Sequence, residues 1–255
     1  MSKDLAILVS SCDKYADLWD PFFGMFFKYW KDCSYDIYLC AESKKYINSR
    51  VTTINPMVDQ SWSERLLWAL ERIDKNYVLL MLDDYILLKN VDNSRIEFCH
   101  TMLIKNKAAS IRLLPVPGPD TVLVDAIGIV SKGRDYRTST QASIWDKKIL
   151  QSLLRKEESV WDFEFKGTER SNRLDNLFLC VALDGTGNPV EKGDYPLTYY
   201  CTAVHRGKWR REAVKIITKN NIKVNLHARP QETLVEMYRR ILERKVYKFL
   251  NKKTI

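Results

Sequence analysis

Tyr77-Val78-Leu79-Leu80-Met81-Leu82 runs without a break into Asp83-Asp84. The run is short, apolar and bounded by polar residues, which predicts a strand buried on both faces of a parallel sheet. Ligands of open α/β sheets bind beyond the carboxyl ends of such strands. Two adjacent carboxylates at that point repel each other unless a cation lies beside them. A divalent metal holding a diphosphate is the simplest guest, because hard cations take oxygen ligands from protein and phosphate together. The plain alternative is a turn, where Asp commonly follows a strand.

Upstream of this run, residues 5–9 read as a first strand followed by the polar turn Ser10-Ser11-Cys12-Asp13-Lys14. An aromatic-rich helix over about 19–30 comes next, with Pro21 suited to its first turn. Residues 35–40 and 51–54 read as two further strands. Ser61-Trp62-Ser63-Glu64 is a capping box, and Leu66, Leu67, Leu70 and Ile73 supply the apolar stripe of the helix behind it. The β-α-β-β-α-β order is that of the nucleotide-binding half of a doubly wound sheet. No Gly-rich fingerprint follows the first strand and no P-loop is present, which argues against the usual dinucleotide and P-loop folds.

Downstream, residues 85–88 continue extended, and Asp92 or Ser94 caps a helix reaching about 106. A strand is expected over 108–114, a rigid break at Pro115-Val116-Pro117-Gly118-Pro119, and a strand over 121–130 near or over the active face. Helices are expected over 145–154 and within 169–183, the latter ended by Asp184-Gly185, and a strand over 198–204. Residues 233–250 read as an amphipathic basic helix, with Val235, Tyr238, Leu242, Val246 and Phe249 apolar among Arg239, Arg240, Arg244 and Lys248.

A chain of 255 residues with 45% apolar content accommodates one large α/β domain, or a domain with an appendage. Its 13 Tyr, 9 Phe and 7 Trp fit a carbohydrate-handling or interface-rich protein, although most such rings belong to a core. No stretch approaches the roughly 18–20 apolar residues that span a bilayer. The opening MSKDLAILVSS lacks a long apolar segment and a small-residue cleavage site, so a cytoplasmic protein is expected. The cysteines, Cys12, Cys33, Cys40, Cys99, Cys180 and Cys201, form no CxxC pair and read as reduced small hydrophobes rather than zinc ligands.

Charge divides the chain. Residues 206–255 carry 15 Lys+Arg and 4 Asp+Glu, whereas residues 1–205 carry 26 and 28. A near-neutral body with a strongly basic tail is unlike a protein that binds nucleic acid over its main surface. It points to an anionic lipid surface, or to phosphates bound near the end of the chain.

The first strand with its polar turn, the capped segment Ser63-Glu64-Arg65-Leu66-Leu67, and Asp83-Asp84-Tyr85 resemble a nucleotide-sugar glycosyltransferase of the GT-A fold. Gln141-Ala142-Ser143-Ile144-Trp145 followed by Trp161-Asp162-Phe163-Glu164 is similar to bacterial enzymes from capsule and O-antigen clusters. The resemblance covers roughly residues 5–210, and its acidic motif departs from Asp-x-Asp. It implies a single GT-A-like domain with a doubly wound, mostly parallel sheet over 1–210. The nucleotide half would span about 1–115 and the acceptor side about 116–210, with a basic helical extension over 211–255.

In that fold the acidic motif holds a metal on the donor diphosphate. The resemblance implies Asp84 as direct ligand and Asp83 as support through water or ribose, or the reverse. Mn²⁺ or Mg²⁺ suits such oxygen ligands. His205 opens His205-Arg206-Gly207-Lys208-Trp209 and is either a further ligand or an ordinary strand-end residue. Arg206 and Lys208 suit phosphate. His100 and His227 lack comparable neighbours and read as structural. If 161–164 is a strand, Asp162 and Glu164 share a face and offer a general base, Asp162 favoured, for an acceptor hydroxyl. Otherwise one of them pairs with Arg170 or Arg173. Trp161 either stacks on a sugar or belongs to the core. Ser10, Ser11, Asp13 and Lys14 would line the nucleotide pocket, with Trp62 and Arg65 reaching in from the capped helix. Arg112, a cation inside a strand, should point into the site or pair with an acid. Gln141 would contact a sugar.

The leading expectation is a metal-dependent, inverting glycosyltransferase that moves a sugar from a nucleoside diphosphate to a glycan hydroxyl in surface polysaccharide synthesis. The acceptor would be lipid-linked, and the basic terminal helix would hold the enzyme at the inner membrane face. The alternative is a helix that packs its stripe on the domain. A sugar-phosphate nucleotidyltransferase keeps the fold but calls for a Gly- and basic-rich loop after the first strand, which Ser10-Ser11-Cys12-Asp13-Lys14 lacks. A non-enzymatic basic adaptor for membrane or polyanion is the third reading, with salt-sensitive binding as its mark.

Overall fold

The computed structural model describes residues 4–56, 60–124, 126–182 and 195–251. Strand β1 (Leu5–Ser10) leads through a 3-10 turn (Asp13–Leu18) into α1 (Trp19–Tyr29), β2 (Asp36–Cys40), β3 (Thr52–Ile54), α2 (Trp62–Arg72) and β4 (Tyr77–Leu82), the predicted order. Next come β5 (Ile86–Leu87), α3 (Asn93–Lys105), β6 (Ser110–Arg112), β7 (Thr121–Val124), β8 (Ile127–Ile129) and β9 (Ser143–Asp146). They are followed by α4 (Lys147–Leu153), α5 (Val160–Ser171) and β10 (Phe178–Val181). The described chain ends with β11 (Tyr199–Tyr200), β12 (Val204–His205), β13 (Lys208–Trp209), α6 (Arg211–Lys219) and α7 (Leu234–Asn251).

Nine strands form one sheet in the order β3-β2-β1-β4-β9-β6-β10-β8-β7. Seven of them run the same way, with β9 and β8 reversed. The fold is therefore α/β on a largely co-directional sheet with helices on both faces. Alternation along the central strands divides the core in two. Leu5, Ile7, Val9, Leu79 and Met81 face the layer containing α1 and α3. Ala6, Leu8, Val78 and Leu80 face the layer of α2, α4 and α5. Each Val, Leu, Ile or Met among them contributes about 1.5–3 kcal/mol by leaving water. Residues beyond 210 join the first layer, since Ala213, Val214 and Ile217 of α6 are buried in it.

Several expectations are corrected. Residues 160–171 are helix, not strand, because Ser159 caps the segment with Asp162 at the third position. The capping box outweighs the local alternation of Trp161-Asp162-Phe163-Glu164. Residues 143–146 are strand β9, inserted between β4 and β6, and the expected helix starts only after Asp146, whose carboxylate caps it through Ile149 N at 3.0 Å. The 121–130 strand is a bulged hairpin, β7 and β8, at the sheet edge. In place of a helix within 169–183 there is the end of α5 and the fully buried strand β10. Asp184-Gly185 lies outside the described residues. The 198–204 strand is two short pieces, β11 paired with β5 and β12 paired with β13.

Candidate functional site

A cavity of about 850 Å³ opens at the carboxyl ends of β1 and β4. Ser10, Ser11 and Cys12 line it from β1, and Asp83, Asp84 and Tyr85 from β4. Ser61, Trp62 and Arg65 reach it from the capped start of α2. The opposite wall is built by Thr140, Gln141 and the start of α5, and the rim by residues 202–207.

The doublet sits where the sequence places it. Asp83 is buried and accepts a short hydrogen bond from Ser11 Oγ, which in turn accepts Trp19 Nε1 at 2.7 Å. Burial raises the Asp83 carboxyl well above the usual carboxylate range, Ser11 opposes the rise, and the charge of Asp84 adds to it. Asp84 is pushed up to about 6 by burial, against a hydrogen bond from the Val204 backbone and the charge of Arg210. Two adjacent carboxylates lining a cavity, one buried and one partly open, offer the oxygen donors that a hard divalent cation takes. Among the described residues no three His, Cys, Asp or Glu side chains gather as a metal-binding group. His205 lines the same cavity without completing such a set, and burial and the neighbouring Arg210 and Arg206 keep its imidazole pKa low.

The rim is a two-residue hairpin. His205 pairs with Lys208, and the turn residues Arg206 and Gly207 have φ of 49° and 76°. Positive φ at both positions is the signature of a type I′ turn, natural for Gly and strained for Arg. Thr202, also on the rim, has φ of 64°. Such backbone is rare for a β-branched residue and concentrates at functional sites.

The far wall centres on Glu164. It is buried, and its Oε1 accepts Thr140 N at 2.8 Å, Thr140 Oγ1 at 2.8 Å and Ser139 Oγ at 3.3 Å. All three bonds fall on one oxygen. Gln141 is aimed by Tyr199, whose hydroxyl donates to Gln141 Oε1 at 2.6 Å and accepts Ala142 N at 2.9 Å. Tyr199 stacks on Tyr85 with ring centres 4.7 Å apart. Trp161 lines the cavity and is 68% exposed, so it is not a core residue. Trp62 is buried, donating to Ser10 Oγ at 2.9 Å, and Arg65 pairs with Glu42 at 3.1 Å.

Other expected residues are placed elsewhere. Asp162 lies off the cavity on an exposed turn of α5. It accepts Ser159 N and Oγ and pairs with Lys166 at 2.7 Å, contacts that hold its carboxyl below the usual range. Asp13 faces the loop after β2, accepting the backbone N–H of Glu42, Ser43 and Lys44. Lys14 is exposed and outside the lining. Arg112 neither enters the cavity nor meets an acid. Its guanidinium donates to the carbonyls of Pro117 and Tyr136, both at 2.5 Å, which satisfies a buried cation without a counter-charge. Lys208 pairs with Glu236 at 2.5 Å and points off the lining. Arg170 does form an ion pair, but with Glu158, through contacts of 2.8 and 2.6 Å. His100 packs edge-on to Tyr77, a structural role.

Sequence reasoning missed Tyr15, Thr140 and Thr202 on the lining, and Arg229 behind it. The hydroxyls of 138–140 carry a weak signal, as a polar run before an apolar strand. Arg229 carries none, because its partners lie at the other end of the chain.

No protein-family model and no curated protein matches the chain. Among solved structures, an active-site variant of LgtC is similar with 10% identity, over 90% of this chain and 98% of that one, at a TM-score of 0.49. LgtC in complex with donor and acceptor sugar analogues has 12% identity over 84% and 94%, at 0.48. S. aureus TarS in complex with UDP has 12% identity over 88% of this chain and 68% of that one, also at 0.48.

Proposed function

We propose that the protein is a glycosyltransferase of the GT-A type, moving a sugar from a nucleoside diphosphate to a glycan hydroxyl with a divalent cation in attendance. The observation that carries this reading is the adjacent pair Asp83, buried, and Asp84, partly open, at the carboxyl end of β4, facing an 850 Å³ cavity. Asp84, which keeps part of its surface open to the cavity, would hold the cation directly, with Asp83 behind it on Ser11. A cation bound there would neutralise charge on the departing diphosphate.

The remaining chemistry falls to side chains of this chain. Arg65 and Arg206 supply positive charge at the cavity wall for phosphate oxygens. Trp62 and the β1 turn border the space for the nucleoside. Trp161, exposed at the mouth, offers a flat apolar face to an acceptor sugar. Glu164 replaces Asp162 as the favoured base: Thr140 and Ser139 fix one oxygen, leaving the other to take the acceptor proton as a single displacement proceeds with inversion. Surface-polysaccharide synthesis and a lipid-carried acceptor complete the reading, supported by the basic C-terminal segment. The polar, Gly-free turn after β1 gives no support to nucleotidyl transfer.

The decisive experiment is a thermal-shift screen of UDP and GDP with and without Mn²⁺. A ligand confined to the native state raises its stability, so a nucleotide shift that needs the metal and disappears in Asp84→Asn supports the reading. A nucleotide that binds equally without metal, or not at all, removes it.

A further inference from the structure

Helix α7 turns its polar side to the protein and its apolar side to solvent. Glu236 accepts Lys208 Nζ at 2.5 Å and the Thr233 N–H at 2.8 Å. Arg240, one turn further on the same side, donates to Glu232 at 2.8 Å and pairs with Glu212 of α6 at 3.1 Å. Leu234, Val235, Tyr238, Leu242 and Val246 occupy the opposite side and are 49–78% exposed. At ~1.5 Å per residue they form a stripe roughly 18 Å long. A helix that seals a core shows the reverse arrangement. The ion pairs fix the orientation, so these five side chains are displayed rather than packed, unlike the alternative in which the stripe lies on the domain.

Charge names the occupant. Exposed Arg239 borders the stripe, and the sequence continues with Arg244, Lys245, Lys248, Lys252 and Lys253 within a segment of 15 cations and 4 anions. A second copy of the chain would bring two such cationic segments together, at a cost in repulsion. No helix among the described residues is long and apolar enough to cross a membrane. We infer that α7 lies in the plane of an anionic lipid surface, with Val235, Tyr238, Leu242 and Val246 in the acyl boundary and the cations at the headgroups. Through Lys208 the helix is joined to the hairpin whose Arg206-Gly207 turn lines the cavity. The anchor therefore holds the cavity rim at headgroup level, where a lipid-carried glycan presents its hydroxyl; this last link, unlike the anchor itself, rests on the transferase reading.

The test is co-flotation of the full chain with vesicles of phosphatidylcholine alone or with phosphatidylglycerol. Binding to the anionic vesicles, weakened by salt and reduced at least tenfold in Tyr238→Glu/Leu242→Glu, is the expected result. Both positions are exposed, so an unchanged Tm in that variant shows that the fold is intact, with Tyr238→Ser/Leu242→Ser as the milder pair should it fall. Absence of wild-type flotation overturns the inference, as does equal flotation of both double variants. So does a concentration-dependent dimer that the substitutions abolish, which would assign the stripe to a second copy. The metal-dependent nucleotide shift is read without vesicles, so failure of the anchor and failure of the transferase reading are told apart.

Discussion

Arg229 and Asp17, 212 positions apart, form a bidentate ion pair with both contacts at 2.9 Å. The same guanidinium donates to the carbonyls of Lys14 at 2.9 Å and Gly207 at 3.2 Å, and lies 4.5 Å from the ring centre of Tyr15. One cation thus ties the turn after β1 to the rim hairpin, so that two cavity walls distant in sequence keep one spacing. Both side chains are largely buried, so removing one partner strands the other. Arg229→Ala is expected to cost about 3–5 kcal/mol. Arg229→Lys should recover only part of this, since an ammonium cannot reproduce the fork. Urea denaturation of the three proteins checks the order.

Asp84→Asn has opposite consequences for folding and binding. The Asp84 carboxyl is raised from 3.8 to about 6 by burial. The native state therefore holds a proton that the unfolded chain releases, and stability is lost as pH rises from about 4 to 6. Asn removes that penalty, up to about 3 kcal/mol at neutral pH and less where solvent reaches the carboxylate. The variant should show an equal or higher Tm at pH 7.5 without metal and little difference at pH 4. Wild-type Mn²⁺ affinity should fall as pH drops through 6, because the proton competes for the ligand. A variant less stable than wild type at pH 7.5 would mean that Asp84 is already compensated within the fold.

Glu164 and Asp162 separate function from capping. Glu164→Gln keeps the shape of the side chain but cannot take a proton, and about a 10²–10⁴-fold loss of kcat is expected for a general base. Donor affinity should hardly change. Asp162→Asn, off the cavity, should weaken the capping box and the pair with Lys166, lower Tm slightly and leave turnover near wild type. Nucleoside diphosphate release together with the product anomer reads both; retention of configuration would take the base role from Glu164.

The doublet and the first six elements were legible because each carries a local signal: an unbroken apolar run, a capping box, a helical stripe. Residues 160–171 misled because Trp161-Asp162-Phe163-Glu164 alternates like a strand, while the deciding hydrogen bonds come from Ser159 just before it. The helix expected over 145–154 begins two residues late because Trp145 and Asp146 end β9, whose strand character depends on the gap between β4 and β6, a tertiary fact. Arg112 reads as a cation that must enter the site or meet an acid, whereas two backbone carbonyls satisfy it, a solution with no sequence signature. Arg229 and the hydroxyls that fix Glu164 form only when distant segments meet, and no periodicity reports such meetings.

Gly167 offers a last check on how the Glu164 wall is held. It lies inside α5, where replacing Gly by Ala ordinarily gains about 1 kcal/mol in helix propensity. Here a Cβ would meet Thr138 Oγ1 at 3.0 Å and the Phe163 ring at 3.2 Å. Thr138 is fixed by Phe163 O at 3.1 Å and Thr168 Oγ1 at 3.1 Å, and Phe163 is fully buried, so neither gives way freely. Overpacking of this kind costs about 1–3 kcal/mol, which outweighs the propensity gain. Gly167→Ala should therefore lower Tm. It should also lower kcat more than donor affinity, because the strain passes from Thr138 to its neighbours Ser139 and Thr140, which hold the Glu164 oxygen. A raised Tm with unchanged turnover would mean that α5 slides to absorb the methyl group and that the wall is softer than its hydrogen bonds imply.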